Sequence, residues 1–351
     1  MIDFREAFSN QPITLAGYCE ATPALHEVVV IRALPGLGDF LCAVPALRAL
    51  RKACPKARIS LIGLPSSRGL VDRFSAYLDE LIELPGYPGL PERSPNLTEL
   101  PKFLQSMRSR LFDLAIQMHG SGVISNALTQ DLKARRSIGF FKPGYPCPDP
   151  NSFLPYVDSE SEIRRYLRLF QFVGIPVQTE TMEFPIGDRD QQELQALLKL
   201  HNLEPGKFVC IHAGASAPMR CWSGDRFAAV ADAIAQIGWT IVLTGSIEER
   251  GLNQSIAQTM QAPTINLAGK TSLGGLAALL TASKLLVCND TGVSHLAAAL
   301  GVKSVIVFSA SDPQRWAPLD RQRHRSILPP ATVTTVLDQV RDLLQESVYV
   351  A

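Results

Sequence analysis

The polar residues best suited to chemistry lie in short loops that follow apolar, strand-like segments. The clearest loop is Asn-Asp-Thr-Gly-Val-Ser-His at 289–295, which follows the apolar run 285–288 and opens an Ala/Leu-rich helix. Free N–H groups and the helix dipole favour phosphate at such a helix start, where Thr291, Ser294 and His295 add polar groups. The same pattern also fits a well-capped crossover without a ligand, and both interpretations stay open.

A second loop follows the predicted strand 208–212. It begins with small residues, including Ala215 and Ser216, and continues to Arg220. Exposed backbone N–H groups followed by a cation suit a diphosphate, and Arg220 could balance negative charge that develops on a phosphate leaving group. The alternative is a flexible surface loop with a solvated arginine.

A third loop places Glu248 and Glu249 after the predicted strand 240–244. A carboxylate at the end of a strand could accept hydrogen bonds from two ribose hydroxyls. The alternative is the acidic first turn of a helix, a common arrangement that complements the helix dipole.

The turn after the first predicted strand contains Gly36, Gly38 and Asp39. These glycines allow a ligand to approach the backbone closely, but the third glycine of a dinucleotide fingerprint is missing, which disfavours a Rossmann dehydrogenase. The turn would deliver Asp39 to a cleft at a helix start. The alternative is an aspartate that caps the helix.

No metal is expected. Asp188 and Asp190 match an Asp-x-Asp metal-binding pattern, but they directly precede a helix and are interpreted as caps. The chain shows no His/Cys cluster with the spacing of a metal site.

The composition narrows the class of protein. The 351 residues have a formal net charge of +1, so overall charge gives no case for nucleic acid. The seven cysteines are scattered and odd in number, as expected for free thiols in a reducing compartment. The N-terminus does not resemble a signal peptide, and no apolar run reaches the roughly 20 residues of a membrane span. We expect a cytoplasmic protein that contacts at most a membrane surface.

Strand-like and helix-like segments alternate along the chain, which predicts α/β architecture with two doubly wound parallel sheets. Ligands should bind at the carboxyl ends of the strands, in a cleft between the sheets. We place the domain boundary and a hinge within 174–187. The predicted domains are 1–180, with an additional arm at 1–25, and 181–325. Helical periodicity from Val333 to Leu344 marks the final segment, 326–351.

Several stretches, in the same order along residues 31–313, together match one known pattern. They are IRALPGLGDFLCAVPALRALRKACPKARI, FDLAIQMHGSGVISNAL with RRSIGF, IHAGASAPMRCW, LTGSIEER and NDTGVSHLAAALGVKSVIVFSASDP. The chain resembles the ADP-heptose:lipopolysaccharide heptosyltransferases of glycosyltransferase family 9. The resemblance implies a GT-B fold of two Rossmann-like domains. It also implies sugar transfer with inversion from a nucleotide-diphosphate donor, without a metal or other cofactor, and a final helix that returns to the N-terminal domain.

The resemblance also implies roles for individual residues. Asp39 matches the general base, and Arg220 stands near the donor phosphates. Glu249 or Glu248 matches the ribose-binding acid, and Thr271 lies beside the nucleobase. The remaining matches form the phosphate and sugar loops: Ala215, Ser216, Asp290, Thr291, Gly292, Ser294 and His295.

The expected partners are a nucleotide-sugar donor, with ADP-heptose first, and a lipopolysaccharide-core or other envelope glycan or glycolipid at the inner face of the plasma membrane. Thr271 departs from the methionine of well-known heptosyltransferases, which weakens the case for ADP-heptose. Two alternatives remain, an inactive nucleotide-sugar binding protein and, less favoured, a dehydrogenase. If Asp39 were not the base, His119 would be the next candidate.

Overall fold

The computed structural model describes residues 25–345. It divides the chain into two compact units between Glu180 and Thr181, within the segment where the sequence placed the boundary. The predicted N-terminal arm, 1–25, lies outside the described part of the chain except for its last residue.

The first unit contains, in chain order, β1 (Glu27–Ile31), α1 (Leu37–Ala53), β2 (Arg58–Gly63), α2 (Arg68–Arg73), β3 (Glu80–Glu83), α3 (Leu100–Ser109), β4 (Leu114–Gln117), α4 (Ser125–Asp131), β5 (Arg136–Phe141), β6 (Phe153–Pro155) and α5 (Glu162–Phe172).

The second unit contains α6 (Asp188–His201), β7 (Phe208–His212), α7 (Gly224–Gln236), β8 (Thr240–Leu243), α8 (Arg250–Thr259), β9 (Thr264–Asn266), α9 (Leu273–Ala282), β10 (Leu285–Asn289), α10 (Gly292–Ala299), β11 (Ser304–Val307), α11 (Pro313–Trp316), β12 (His324–Ile327) and α12 (Val333–Gln345).

Each unit has one six-stranded sheet, and the two sheets have equivalent topology. The strand orders are β3-β2-β1-β4-β5-β6 and β12-β11-β10-β7-β8-β9, and every pair is parallel. In both sheets the unit's first strand lies beside its fourth, so the order reverses at β1/β4 and at β7/β10. This is the doubly wound arrangement predicted from the sequence, and its reversal points are where such folds bind ligands.

Apolar content explains why the central strands form. Val28 to Ile31 of β1 and Leu285 to Cys288 of β10 are fully buried, as strands are when helices cover both faces of a parallel sheet. The last strand of each sheet was not predicted. β6 lies inside the Pro-rich stretch 142–156, and β12 is a short strand at a sheet edge.

The final helix packs on the second unit. The apolar stripe of α12 consists of Val336, Val340, Leu343 and Leu344, and all are buried in the core of the second unit. There they join residues such as Val209 of β7, and α12 lies against α7, β10, β11 and β12. The apolar face of residues 333–345 thus completes the second core, and the return of the final segment to the N-terminal domain stays a prediction.

No helix within residues 25–345 combines the length and apolar character needed to cross a membrane.

The packing of α12 predicts a local loss of stability. Leu343 is fully buried, so Leu343→Ala should lower the free energy of unfolding by about 2–5 kcal/mol through lost burial and a residual cavity. All three tryptophans lie in the second unit, so tryptophan fluorescence during urea unfolding follows that unit. Leu200, on α6 of the same unit, is 76% exposed, and Leu200→Ala is the control, with an expected change within about 0.5 kcal/mol. Equal effects of both variants would contradict the packing of α12.

Candidate functional site

The reversal point of the second sheet brings together two of the predicted loops. β7 and β10 are paired in register, with Cys288 opposite His212, so the loops that follow them begin side by side. The first loop starts at Ala213 and the second at Asp290. Because helices leave these loops toward opposite faces of a doubly wound sheet, a crevice remains between them.

The side chain of Asn289 joins the two ends of the first loop. Its Oδ1 accepts a hydrogen bond from the Trp222 N–H at 2.9 Å, and its Nδ2 donates to the Ala213 carbonyl at 2.7 Å. Asn289 is fully buried, so both bonds are shielded from water. The loop 213–222 is thus held at both ends by one amide. Sequence reasoning assigned Asn289 only to turn chemistry, although an amide at the end of a buried strand was the available signal.

The second loop opens α10. Thr291 is the N-cap residue, with extended backbone and no side-chain capping bond. The Ser294 hydroxyl donates to the Thr291 carbonyl at 2.7 Å, and the buried Asp290 accepts a hydrogen bond from the Ser311 hydroxyl. Ser294 and Asp290 therefore shape the loop, and Gly292, the first residue of α10, lies at the helix start predicted to bind phosphate.

His295 is the fourth residue of α10 and is 4% exposed. Its ring packs edge-to-face against Trp316 of α11, with 6.0 Å between ring centroids. This contact fixes the direction of the imidazole beside the start of α10.

Arg220 is the cation of the first loop and closes a short 3-10 turn, Pro218–Arg220. Its guanidinium forms no ion pair or side-chain hydrogen bond with any residue between 25 and 345. Ser216 is exposed and Ala215 is half-buried on the same loop. The charge of Arg220 is therefore available to an anion.

The structure distinguishes between the two acidic candidates. The Glu249 carboxylate accepts a hydrogen bond from the Ser246 N–H at 2.7 Å, whereas Glu248 is fully exposed. A Cβ atom at Gly214 would lie 1.8 Å from Glu249 Oε1, and one at Gly245 would lie 3.1 Å from Oε2. Glu249 thus occupies a space between the loops after β7 and β8 that exists because both neighbours are glycines.

His212 supports this carboxylate from inside the sheet. Its Nε2 lies 3.7 Å from Glu249 Oε2, and its Nδ1 is 3.1 Å from the Thr244 hydroxyl. Burial lowers the pKa of His212, and the charge of Glu249 opposes this effect only in part. The ring is therefore neutral at pH 7. Sequence reasoning gave His212 no role.

Thr271 follows the loop after β9. The Gly269 N–H donates to the Gly245 carbonyl at 2.8 Å, which joins this loop to the one that carries Glu249. Thr271 is half-buried and precedes Ser272, whose hydroxyl caps α9 by accepting from the Gly275 N–H at 2.9 Å. The predicted donor-binding residues of the second unit thus all lie at the carboxyl ends of β7 to β10.

In the first unit, Asp39 is not a helix cap. Gly36 holds the N-cap position of α1, and Asp39 is the third helical residue. The Asp39 carboxylate forms no hydrogen bond with a described residue, but Arg32 Nη2 lies 3.9 Å from Oδ1. A Cβ atom at Gly36 would lie 2.2 Å from Asp39 Oδ2, so a larger residue there would displace the carboxylate, while Gly38 is buried inside the helix. The capping interpretation is wrong, and the carboxylate, 28% exposed, is free to accept a proton.

His119, the other candidate base, lies at the end of β4. Its Nδ1 accepts a hydrogen bond from the Ala33 N–H at 3.1 Å, which places the ring proton on Nε2. That nitrogen lies 3.4 Å from Glu92 Oε1. Burial, and secondarily the charge of Arg32, lowers the pKa of His119 to about 4. With its lone pair engaged and its pKa low, His119 is a poor proton acceptor at pH 7.

The Asp-x-Asp motif is structural at Asp190. Its carboxylate accepts a hydrogen bond from the Gly187 N–H at 2.9 Å at the start of α6, which confirms the capping interpretation for this residue. Across residues 25–345, no group of three or more His, Cys, Asp or Glu side chains is arranged to hold a metal ion.

Two six-stranded doubly wound sheets, one after the other along the chain, have the architecture of the GT-B fold. Solved structures share this fold. The glycosyl transferase family 9 protein from Veillonella parvula has a TM-score of 0.75, with 20% identity over 92% of this chain and 98% of that one. An Escherichia coli heptosyltransferase WaaC, solved with ADP-2-deoxy-2-fluoro heptose, has a TM-score of 0.62, with 18% identity over 92% and 99% of the two chains.

The family follows from the sequence match. The model of glycosyltransferase family 9 (heptosyltransferase) matches residues 100–333, more than half of the chain. The chain belongs to this family and is a glycosyltransferase, which removes the dehydrogenase alternative. Lipopolysaccharide heptosyltransferase 3 from Escherichia coli is 25% identical over 301 residues, which cover 80% of this chain and 83% of that relative.

The environment of His119 predicts its titration. We expect a pKa near 4 for His119 by NMR of the imidazole protons, with the resonance assigned by its loss in His119→Gln. Because an unfolded histidine titrates near 6.5, its neutral folded form adds stability above about pH 6.5, which is lost as the pH falls toward 4. A His119 pKa above 6 would contradict the hydrogen bond from Ala33 and would restore the ring as a candidate base.

Proposed function

We propose that this protein transfers heptose, or a closely similar sugar, from an ADP-linked donor to a hydroxyl group of a lipopolysaccharide core or related envelope glycan. The configuration at the anomeric carbon inverts, and no metal takes part. The donor is supported by the family and by the solved relative that holds an ADP-linked fluoro-heptose. The acceptor is supported by relatives named lipopolysaccharide heptosyltransferases.

The observation that carries the proposal is the state of Asp39. Its carboxylate lies at a strand-order reversal point, partly exposed and without a hydrogen bond to a described residue, and Arg32 faces it. A carboxylate in this state can take the proton from an acceptor hydroxyl as that oxygen attacks the anomeric carbon. Because the oxygen displaces the diphosphate in one step from the opposite face, the configuration inverts.

The second unit would receive the negative charge of the leaving group. The N–H groups at the start of α10 and the unpaired guanidinium of Arg220 both favour a diphosphate, and more so as its charge develops. These groups would balance the negative charge of the phosphates, as a divalent cation does in other transferases. The proposed metal independence rests on this charge balance.

Glu249 and Thr271 would hold the nucleoside. We assign the ribose hydroxyls to Glu249 because it is fixed between two loops, whereas Glu248 projects into solvent. Thr271, half-buried beside the same loops, would contact the base. A glycolipid acceptor would place the protein against the inner face of the plasma membrane.

Donor binding is tested by thermal denaturation. ADP should raise the melting temperature equally in magnesium and in EDTA, because ligand at about 100 times its Kd stabilises the folded state by about 2.7 kcal/mol. A shift that requires magnesium would contradict the proposed metal independence, and no shift in either buffer would contradict the donor site.

A matched pair of variants locates the bound nucleotide in the same assay. Glu249→Gln removes one charge between the two glycines and should weaken ADP binding about tenfold, since hydrogen bonds to charged groups contribute roughly 1.5–3 kcal/mol. Glu248→Gln removes the same charge from the fully exposed neighbour and should leave the affinity unchanged. The reverse result would move the ribose contact to Glu248.

The base is tested by Asp39→Asn, which keeps the shape of the side chain but removes the proton acceptor. Transfer from ADP-heptose to a lipopolysaccharide-core acceptor should slow by about 10²–10⁴-fold, with melting temperature and ADP affinity retained. Asp72→Asn changes an exposed aspartate of the same unit and should have no effect. NMR of the product should show inversion. Transfer at the wild-type rate by Asp39→Asn would remove Asp39 as the base.

A further inference from the structure

A chain of buried charged and polar side chains extends from Asp39 into the first unit. Its members are Arg32, Tyr166, Glu162 and Arg165, and none is more than 3% exposed. Ionisable side chains are almost never this buried unless they are paired. The burial of these four side chains therefore needs an explanation, since surface ion pairs would not require it.

The hydrogen bonds of this chain have definite directions. The Tyr166 hydroxyl donates to Glu162 Oε1 at 2.5 Å, which leaves its oxygen to accept a bond from Arg32 Nη1. Arg165 donates to the other carboxylate oxygen of Glu162. At the opposite end, Arg32 Nη2 donates to the main-chain carbonyl of Asp39 and lies 3.9 Å from its carboxylate. Charges thus alternate from Arg165 to Asp39.

Arg32 is the junction of the chain because of its place in the fold. It directly follows β1, and its Nη1 also donates to the Met118 carbonyl at the end of β4, 2.7 Å away. One guanidinium therefore contacts the ends of both strands at the reversal point, the first turn of α1 and, through Tyr166, helix α5. Its plane also lies over the Tyr166 ring, 4.7 Å from the centroid.

These contacts keep the Arg32 guanidinium charged and the Tyr166 hydroxyl protonated. Burial disfavours the charge of Arg32, but Tyr166, Asp39 and Glu162 more than offset this, so its pKa stays above the ordinary value. Burial, reinforced by Glu162 and opposed by Arg32, raises the pKa of Tyr166 well above its ordinary value. The guanidinium behind Asp39 is therefore a permanent positive charge with a fixed position.

We propose that Arg32, Tyr166 and Glu162 are positioning residues for Asp39: Glu162 orients the Tyr166 hydroxyl, Tyr166 fixes the Arg32 guanidinium, and Arg32 holds the main chain and the carboxylate of Asp39 in the orientation that accepts the acceptor proton. This rests on the proposed role of Asp39 as general base. Reacting groups must be held within tight limits, and a misplacement of about 1 Å can cost 10²-fold in rate.

A purely structural role explains this arrangement less well. Buried ion pairs can often be replaced by apolar side chains without loss of stability, so they are weak evidence for a stabilising role. Here the chain ends on the one member that is partly exposed, Asp39, rather than within the core. Arg32 also retains a buried Nε without a hydrogen-bond partner, which is a cost to stability.

The test compares two tyrosine hydroxyls of the same unit. Tyr166→Phe removes the link between Glu162 and Arg32 but keeps the ring. Tyr87→Phe is the matched control, because the Tyr87 hydroxyl also bonds to a carboxylate, Asp131 Oδ2 at 2.9 Å, but has no contact with the chain behind Asp39. Transfer from ADP-heptose to a lipopolysaccharide-core acceptor is measured for both variants, with the KM for the donor and the melting temperature.

We expect Tyr166→Phe to lower kcat about tenfold or more, with the donor KM unchanged, and Tyr87→Phe to retain wild-type kcat. The decisive measurement combines Tyr166→Phe with Asp39→Asn. If Tyr166 acts through Asp39, the second change should cost almost nothing once the base is absent, because residues that act as a unit are non-additive. A structural role would instead slow both backgrounds by the same factor.

The outcomes separate the two proposals. Full activity of Tyr166→Phe beside a slow Asp39→Asn overturns the positioning role alone, and so does an equal effect of Tyr166→Phe in both backgrounds. Full activity of Asp39→Asn removes the base and the positioning role together. If Tyr166→Phe does not fold, Arg32→Lys replaces it. Lysine keeps the charge but loses the planar fork, so kcat should fall with ADP affinity retained, and an unchanged kcat overturns the proposal.

Discussion

The reversal of strand order within each sheet determines where the candidate site residues of this protein lie. In each sheet the chain builds outward from a central strand, returns, and builds outward on the other side, so two adjacent parallel strands send their following helices to opposite faces. The loops at that point cannot pack on each other, and their backbone groups and side chains remain available. Asp39 and His119 occupy these positions in the first unit, and the loops after Ala213 and Asp290 occupy them in the second.

The two reversal points differ in electrostatics. In the first unit both terminal nitrogens of the buried Arg32 guanidinium donate hydrogen bonds, and the partly exposed group beside it is the carboxylate of Asp39. In the second unit His212 is neutral, no side chain caps the start of α10, and Arg220 forms no ion pair with a described residue. One point therefore suits the acceptance of a proton and the other the acceptance of an anion. The proposed transfer to a hydroxyl uses both, so under that proposal the two copies of one fold carry different side chains for different tasks.

The parts of the fold that follow from local physics were predictable from the sequence. Buried central strands such as β1 and β10 are continuous apolar runs, and α9 is an apolar helix that begins directly after its N-cap residue, Ser272. β6 and β12 were missed because they are edge strands of only three and four residues, which are too few to show a strand period. Residues that act through distant partners were missed for another reason. Asn289 is 67 residues from Trp222, and Arg32 is 134 from Tyr166, and no spacing in one sequence reveals such pairs.

The double hydrogen bond of Asn289 also affects the entropy of ligand binding. Ordering a free backbone costs about 1–2 kcal/mol per residue, and a loop of ten residues that had to be ordered in full would lose most of its affinity to that cost. Here Ala213 and Trp222 are already fixed by one buried amide. The exposed centre of the loop, around Ser216 and Met219, is the part that these two bonds do not hold. The folding of the second unit has therefore already ordered the two ends of the loop before a donor binds.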